Sequence, residues 1–362
     1  MMALEEDHSE DCLYMDIATP AWESVDGHLY PVLVFIHGGG YQTGTTREIP
    51  EEAMAKKYAK NNIVFVAFQY RIGQLGRKIF FLIFKRNFPK GFASTGDENF
   101  AGNYGLWDQL RALQFVRDNI ERFGGDPQRI TISGFSAGAA SVSALSISPL
   151  SNNLFQQTIQ MSGTFFSEWA VSNRVVFETE KMAKFAGCDD TLDDSKEIKK
   201  CLRDKTVEEL MDAVERMGSA RMEPNSLLFT PRIDADFFPN DVKTLLQNAP
   251  TKRNLIGVAD TEALTFILLL DKENSMDGGM SVKPEEIENY DRKKFENFVR
   301  NIIAPKNLFV NENEGKVLTT DFMFIVPMLQ EVHYKFEKGW PVFMYMIDYY
   351  NKKYYPKNIP IK

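Results

Sequence analysis

The sequence predicts an α/β fold, a mainly parallel, doubly wound sheet with helices on both faces. Three observations carry this. Runs that are apolar throughout, Pro31 to Ile36 and Ile63 to Phe68, have the signature of strands buried on both sides. Stretches with helical spacing lie between and after these runs, in the alternation that builds parallel sheets. A serine flanked by glycines, in Gly134-Phe135-Ser136-Ala137-Gly138, sits where a strand gives way to a run of small residues.

Taken in order, Pro31 to Ile36 reads as a buried strand that runs into the tight loop His37-Gly38-Gly39-Gly40. Pro50 to Asn61 has helical composition, with Ala53, Met54 and Tyr58 on one face, and Ile63 to Phe68 is the second buried strand. From Tyr104 to Phe123 the apolar residues Leu106, Leu110, Leu113, Val116, Ile120 and Phe123 recur at spacings of three and four, which predicts an amphipathic helix. Gly124-Gly125-Asp126-Pro127 stops it, because glycine accepts a left-handed cap and proline cannot continue a helix. Arg129 to Ser133 follows as a short strand and Ala137 to Ala144 as a helix. Glu178 to Gly218 is charged and helical, and Asn254 to Val258 and Pro341 to Ile347 repeat the buried-strand pattern. With no Pro-, Gly- or Ser-rich linker and no internal repeat, one domain over residues 1–362 is the economical organisation.

Composition narrows the function. With 28 Phe, 13 Tyr and 4 Trp to bury, the chain is not a long disordered protein. A net charge of −8 provides no basic field for phosphates, so a nucleic-acid partner is not expected, and cationic small molecules are mildly favoured. The longest apolar stretches, Ile79 to Phe84 and Ala263 to Leu270, are far short of the ~18 residues that span a bilayer, and the first residues have no signal-peptide pattern. Three cysteines without CxxC spacing argue against a metal site, and no cofactor is expected. The residues alone leave two arrangements open: a bridge between Cys188 and Cys201 with Cys12 left over, or three reduced, buried thiols.

The chemistry concentrates at Ser136. A strand-to-helix elbow forces the serine into a strained turn that lifts its hydroxyl above the carboxyl ends of the strands, and its flanking glycines avoid collision with the neighbouring strand and helix. Upstream, Gly38-Gly39-Gly40 bares backbone N–H groups with no side chain in the way. Acyl transfer passes through a tetrahedral oxyanion, and a donor fixed at that position contributes about 2.7–4 kcal/mol. Gly39, Gly40 and Ala137 are the candidate donors. A glycine loop also suits phosphate, but GxGxxG and GKS/T patterns are absent.

Several longer stretches resemble the type B carboxylesterases and cholinesterases, which have the α/β-hydrolase fold. These are Glu10 to Ile17, Asn103-Tyr104-Gly105-Leu106 with Asp108-Gln109, and Phe123-Gly124-Gly125-Asp126-Pro127 continuing through Ile130 to Gly138. The resemblance implies a serine carboxylic-ester hydrolase working through an acyl-enzyme on a small-molecule ester, with Ser136 as nucleophile and Glu262 as triad acid, Asp260 being second choice. It implies the same oxyanion hole, Gly39, Gly40 and Ala137. It also implies an acyl-pocket wall from Trp169, Leu227 and Phe229, residues that would otherwise read as core. Cys188 and Cys201 match a disulfide of the family, which implies an oxidising, secretory compartment.

The sequence departs from the family pattern in places. The family's general-base histidine follows the last core strand, which Pro341 to Tyr349 resembles, and the sequence reaches Lys362 without one. His8, His28, His37 and His333 are the only histidines, and His333 reads as a surface or packing residue on the preceding helix. The chain is thus expected to be truncated at both ends relative to the family, with the partner of Cys12 upstream of Met1 and the C-terminal part of the fold incomplete. Arg77 to Lys90, basic and Phe-rich, reads as an insertion: either a membrane- or partner-binding loop or, preferably, a translated intron. Phe135 stands where the family usually has an acidic residue, which is expected to weaken any preference for cations. The family also includes non-catalytic members, so an inactive adhesion or ligand-binding protein is the alternative.

Overall fold

The computed structural model describes residues 11–24, 27–73, 91–191, 193–217, 227–260, 262 and 320–349. The expected insertion at 77–90 and the apolar run at 263–270 lie outside them. Seven strands form one sheet: β1 (Met15–Ala18), β2 (Tyr30–Ile36), β3 (Val64–Phe68), β4 (Gly125–Phe135), β5 (Gln157–Met161), β6 (Arg253–Ala259) and β7 (Val342–Ile347), in the order β1-β3-β2-β4-β5-β6-β7. Every neighbouring pair is parallel except β1, which runs antiparallel to β3 at the edge.

The doubly wound reading follows from which side chains β2 buries. Val32, Val34 and Ile36 join the main core, which also takes the inner stripe of helix α1 (Tyr104–Asn119), namely Leu106, Leu110, Leu113 and Val116. Leu33 and Phe35 point the other way, onto a smaller cluster of Met54, Phe65 and Ala67. That cluster is closed by a helical run made of Glu51–Ala53, a π turn at Met54–Tyr58 and a 3-10 turn at Ala59–Asn61. Helix α2 (Ala137–Ile147) is buried on every side, which its small residues permit in a close-packed centre. The other α-helices among the described residues are α3 (Arg174–Phe185), α4 (Ser195–Asp204), α5 (Val207–Arg216), α6 (Val242–Asn248) and α7 (Val326–Glu337).

Three details add to the sequence reading. The strand expected from Arg129 begins at Gly125, since only Gly124 takes the left-handed conformation (φ 79°) that ends the helix and Gly125 already pairs with Tyr30. β5 has the polar sequence Gln-Thr-Ile-Gln-Met, whose Thr158 and Gln160 are buried through hydrogen bonds rather than apolar contact. The charged region after Glu178 is helical as expected, built from three helices, α3 to α5, the first of which begins at Arg174.

Candidate active site

β4 carries the chain to Phe135, and α2 starts at Ala137. Ser136 between them has φ 56° and ψ −122°, a conformation that an L-residue holds only when its surroundings impose it. Its N–H donates to the Met161 carbonyl at the end of β5 (2.8 Å), and its carbonyl accepts the Ala140 N–H (3.0 Å). The glycines around it are steric requirements. A methyl group on Gly134 would collide with the backbone of Gly138 and Ala139, and one on Gly138 with the carbonyls of Ile36 and His37. Gly38 brings the glycine loop to the same turn, where its missing side chain would sit 2.7 Å from the Phe135 carbonyl.

The loop itself is folded by its own carbonyl. Gly39, at φ 106°, turns its C=O to accept the N–H groups of Gln42 (3.0 Å) and Thr43 (2.9 Å). The N–H groups of Gly39 and Gly40 donate no backbone hydrogen bond among the described residues. Ala137, first residue of α2, likewise has no partner for its N–H within the helix. Leu227 closes one side, its Cδ2 3.0 Å from where a Cβ on Gly40 would lie, and Phe229 is tied to the loop through Gln42 Nε2, which donates to the Phe229 carbonyl.

His37 is a scaffold residue rather than a proton carrier. Its Nδ1 lies 2.9 Å from the Gly38 carbonyl, which only accepts, so this nitrogen bears the proton. The ring stacks on Tyr70 at 4.3 Å, and the Tyr70 hydroxyl donates to the His37 carbonyl. Complete burial lowers its pKa to about 4, against the opposing effect of the Gly38 hydrogen bond, and keeps it neutral at neutral pH.

Sheet register sets the other candidate residues. Phe135 is level with Met161, and Met161 with Gly257, so β4 and β6 end at the same edge, where ligands bind in open α/β sheets. Glu262 follows β6 there, half-buried, its Oε1 accepting the Ala259 N–H at 2.6 Å. Burial, and then the charge of Glu262, push the pKa of the Tyr345 phenol on β7 up. Asp260 is exposed, and its N–H donates to the Ile347 carbonyl. Trp169 is buried, with Nε1 donating to the Met323 carbonyl and its ring 5.7 Å from that of Phe324. Ser136, Gly38 to Gly40 and Leu227 therefore form one contiguous group, and Glu262 stands two strands away on the same edge.

Of the histidines, His333 lies on α7 with 64% of its side chain exposed, 3.5 Å from Glu337. Cys188 and Cys201 form a disulfide, linking the loop after α3 to α4, while Cys12 is buried. No helix among the described residues is long and apolar enough to cross a membrane.

Residues 1–360 match the carboxylesterase family. The chain belongs to that family. Its sheet and helices are accordingly those of an α/β-hydrolase. Among curated relatives, gut esterase 1 of Caenorhabditis briggsae is 35% identical over 97% of this chain and 63% of its own length. Carboxylesterase 1F of Mus musculus is 40% identical over 70% of the chain and 43% of its own length. Neuroligin-2 of the same species is 36% identical over 75% of the chain and 32% of its own length. The chain thus spans less than two thirds of the curated relatives it matches. Within this carboxylesterase fold, sequence reasoning missed Gly163, which packs against the Ser136 carbonyl, because the polar strand before it carries no apolar signal.

Proposed function

We propose that the protein is a serine carboxylic-ester hydrolase in which Ser136 attacks the ester carbonyl and forms an acyl-enzyme that water releases. The observation that carries this reading is the strained Ser136 turn facing the glycine loop. As the hydroxyl adds to the carbonyl, negative charge develops on the carbonyl oxygen, and the N–H groups of Gly39, Gly40 and Ala137 supply fixed dipoles for it. In this reading Glu262 orients the base and stabilises its charged form, and Trp169, Leu227 and Phe229 wall the acyl group. His37 and His333 are both unsuited to the base role, the first by burial and the second by exposure on α7. Proton transfer is assigned to a histidine acting as general base, as the resemblance to the family implies. The reading takes residues 1–362 as one domain interrupted by an insertion at 77–90, and takes the Cys188–Cys201 bridge as the mark of a secretory compartment.

A serine, an acid and an oxyanion loop serve no purpose together in a purely adhesive protein, which favours hydrolysis. The test is turnover of p-nitrophenyl acetate and labelling by a fluorophosphonate, with Ser136→Ala alongside. Loss of both in the variant supports the reading; turnover that survives the substitution overturns the site. Absence of turnover and labelling in the parent protein supports the adhesive or ligand-binding alternative.

A further inference from the structure

Glu331 and Lys335, one turn apart on α7, are completely buried, with Nζ and Oε1 2.6 Å apart. Among the described residues, all of their side-chain hydrogen-bond partners but Asn254 on β6 come from α2 or the β5 segment, the elements on either side of Ser136. Glu331 Oε1 accepts the hydroxyl of Ser143 on α2 (2.8 Å), and Oε2 accepts Gln160 Nε2 on β5 (3.0 Å) and the hydroxyl of Thr164 just after β5. Lys335 Nζ donates to Gln160 Oε1 (3.0 Å) and Asn254 Oδ1 (3.3 Å) and lies 4.7 Å above the ring of Trp340. Asn254 in turn donates to Gln160 Oε1 and Thr158.

The segment gripped at Gln160 and Thr164 is the one that touches the nucleophile. Met161 between them accepts the Ser136 N–H, and Gly163 abuts the Ser136 carbonyl. Ser143 lies two turns along the helix that leaves Ser136. One carboxylate thus binds the support behind the strained residue and the helix in front of it. Stability alone does not account for such a pair, because taking two charges out of water costs several kcal/mol each and well-packed apolar side chains usually serve as well.

We propose that Glu331, paired with Lys335, is a positioning residue for the nucleophile: it clamps α2 to the 160–164 segment and so fixes the Ser136 turn. This rests on the reading of Ser136 as nucleophile. A mutual misplacement of these two supports by a fraction of an ångström would move the hydroxyl relative to Gly39 and Gly40, which affects the chemical step more than substrate binding.

The test uses Glu331→Gln and, because a lone buried charge destabilises the fold, the paired apolar variant Glu331→Leu/Lys335→Met. Four quantities are read: kcat and KM with p-nitrophenyl acetate, the melting temperature, and amide hydrogen exchange across 134–145 and 157–167. The expected result for the paired variant is a parental melting temperature and KM, a kcat lower by about 10- to 100-fold, and faster exchange confined to those two segments. A folded paired variant with parental kcat and parental exchange overturns the proposal. If the parent protein neither turns over nor labels, the nucleophile reading fails separately, and exchange alone decides the clamp: acceleration confined to the two segments supports it, and unchanged exchange overturns it.

Discussion

Gly163 stands against the carbonyl oxygen of Ser136 so closely that any side chain at 163 would overlap it. The Ser136 turn is thus supported from behind by a residue 27 positions downstream in sequence. Gly163→Ala is expected to shift β5 or the turn, at a cost of about 1–3 kcal/mol as for other overpacked interiors, and to abolish fluorophosphonate labelling. Thermal melting together with labelling checks this. Parental behaviour in both would show that the turn has room the structure does not give it.

How much of this was legible beforehand follows from the kind of signal each element carries. β2 and β3 announce themselves as apolar runs because the sheet covers both of their faces, β6 does so although Leu255 on one face is exposed, and α1 shows in its spacing because the helix buries one stripe. The Ser136 turn was legible because its two glycines fall within five residues, although only Gly134 is demanded by contacts inside the turn, with Gly138 and Ala139, while Gly138 is demanded by the distant carbonyls of Ile36 and His37. β5 was not, since its buried Thr158 and Gln160 are satisfied by Asn254, Glu331 and Lys335, partners between 81 and 175 positions apart along the hydrogen-bond network. Glu331 and Lys335 read as ordinary solvated helix charges until the fold brings Ser143 and Gln160 to them. A long-range polar network has no periodicity to read.

His37 makes the protein sensitive to acid. Burial lowers its pKa from 6.5 to about 4, so the unfolded chain binds a proton in a pH range where the folded one does not. Its contribution is present above pH 6.5 and declines as pH falls towards 4, by roughly 3 kcal/mol in all for the one group. Urea unfolding at pH 7 and pH 4.5 should show His37→Phe, which keeps an aromatic ring against Tyr70, losing less stability on acidification than the parent. Equal losses would mean that His37 titrates normally.

The Cys188–Cys201 bridge closes a short loop, 13 residues in separation, between α3 and α4. In the chain-entropy account a loop of this size is worth about 3 kcal/mol. Cys188→Ser and the double serine variant should therefore destabilise to similar extents, because either removes the whole link. Adding reductant should lower the melting temperature of the parent and leave the double variant where it was. A parent unaffected by full reduction, verified by mass, would remove the bridge from the stabilising interactions.

Gly40 gives the most direct access to the glycine loop. At φ 61° it occupies a region where a side chain is strained, and a Cβ there would meet Leu227 at 3.0 Å. Alanine retains the N–H but must move it, either by rotating the backbone towards negative φ or by pushing Leu227 aside. Because an oxyanion donor works only when its aim is already fixed, Gly40→Ala is expected to lower kcat by about 100-fold or more while the melting temperature changes little. Leu227→Ala separates the two causes. Combined with Gly40→Ala it relieves the contact but not the strained φ, so it should restore little of the lost rate. Substantial recovery in the double variant would mean that the side-chain collision, and not the aim of the N–H, was responsible. Alone, Leu227→Ala should instead raise kcat/KM for butanoyl over acetyl p-nitrophenyl esters, since it enlarges the wall beside Gly40 without touching the donors.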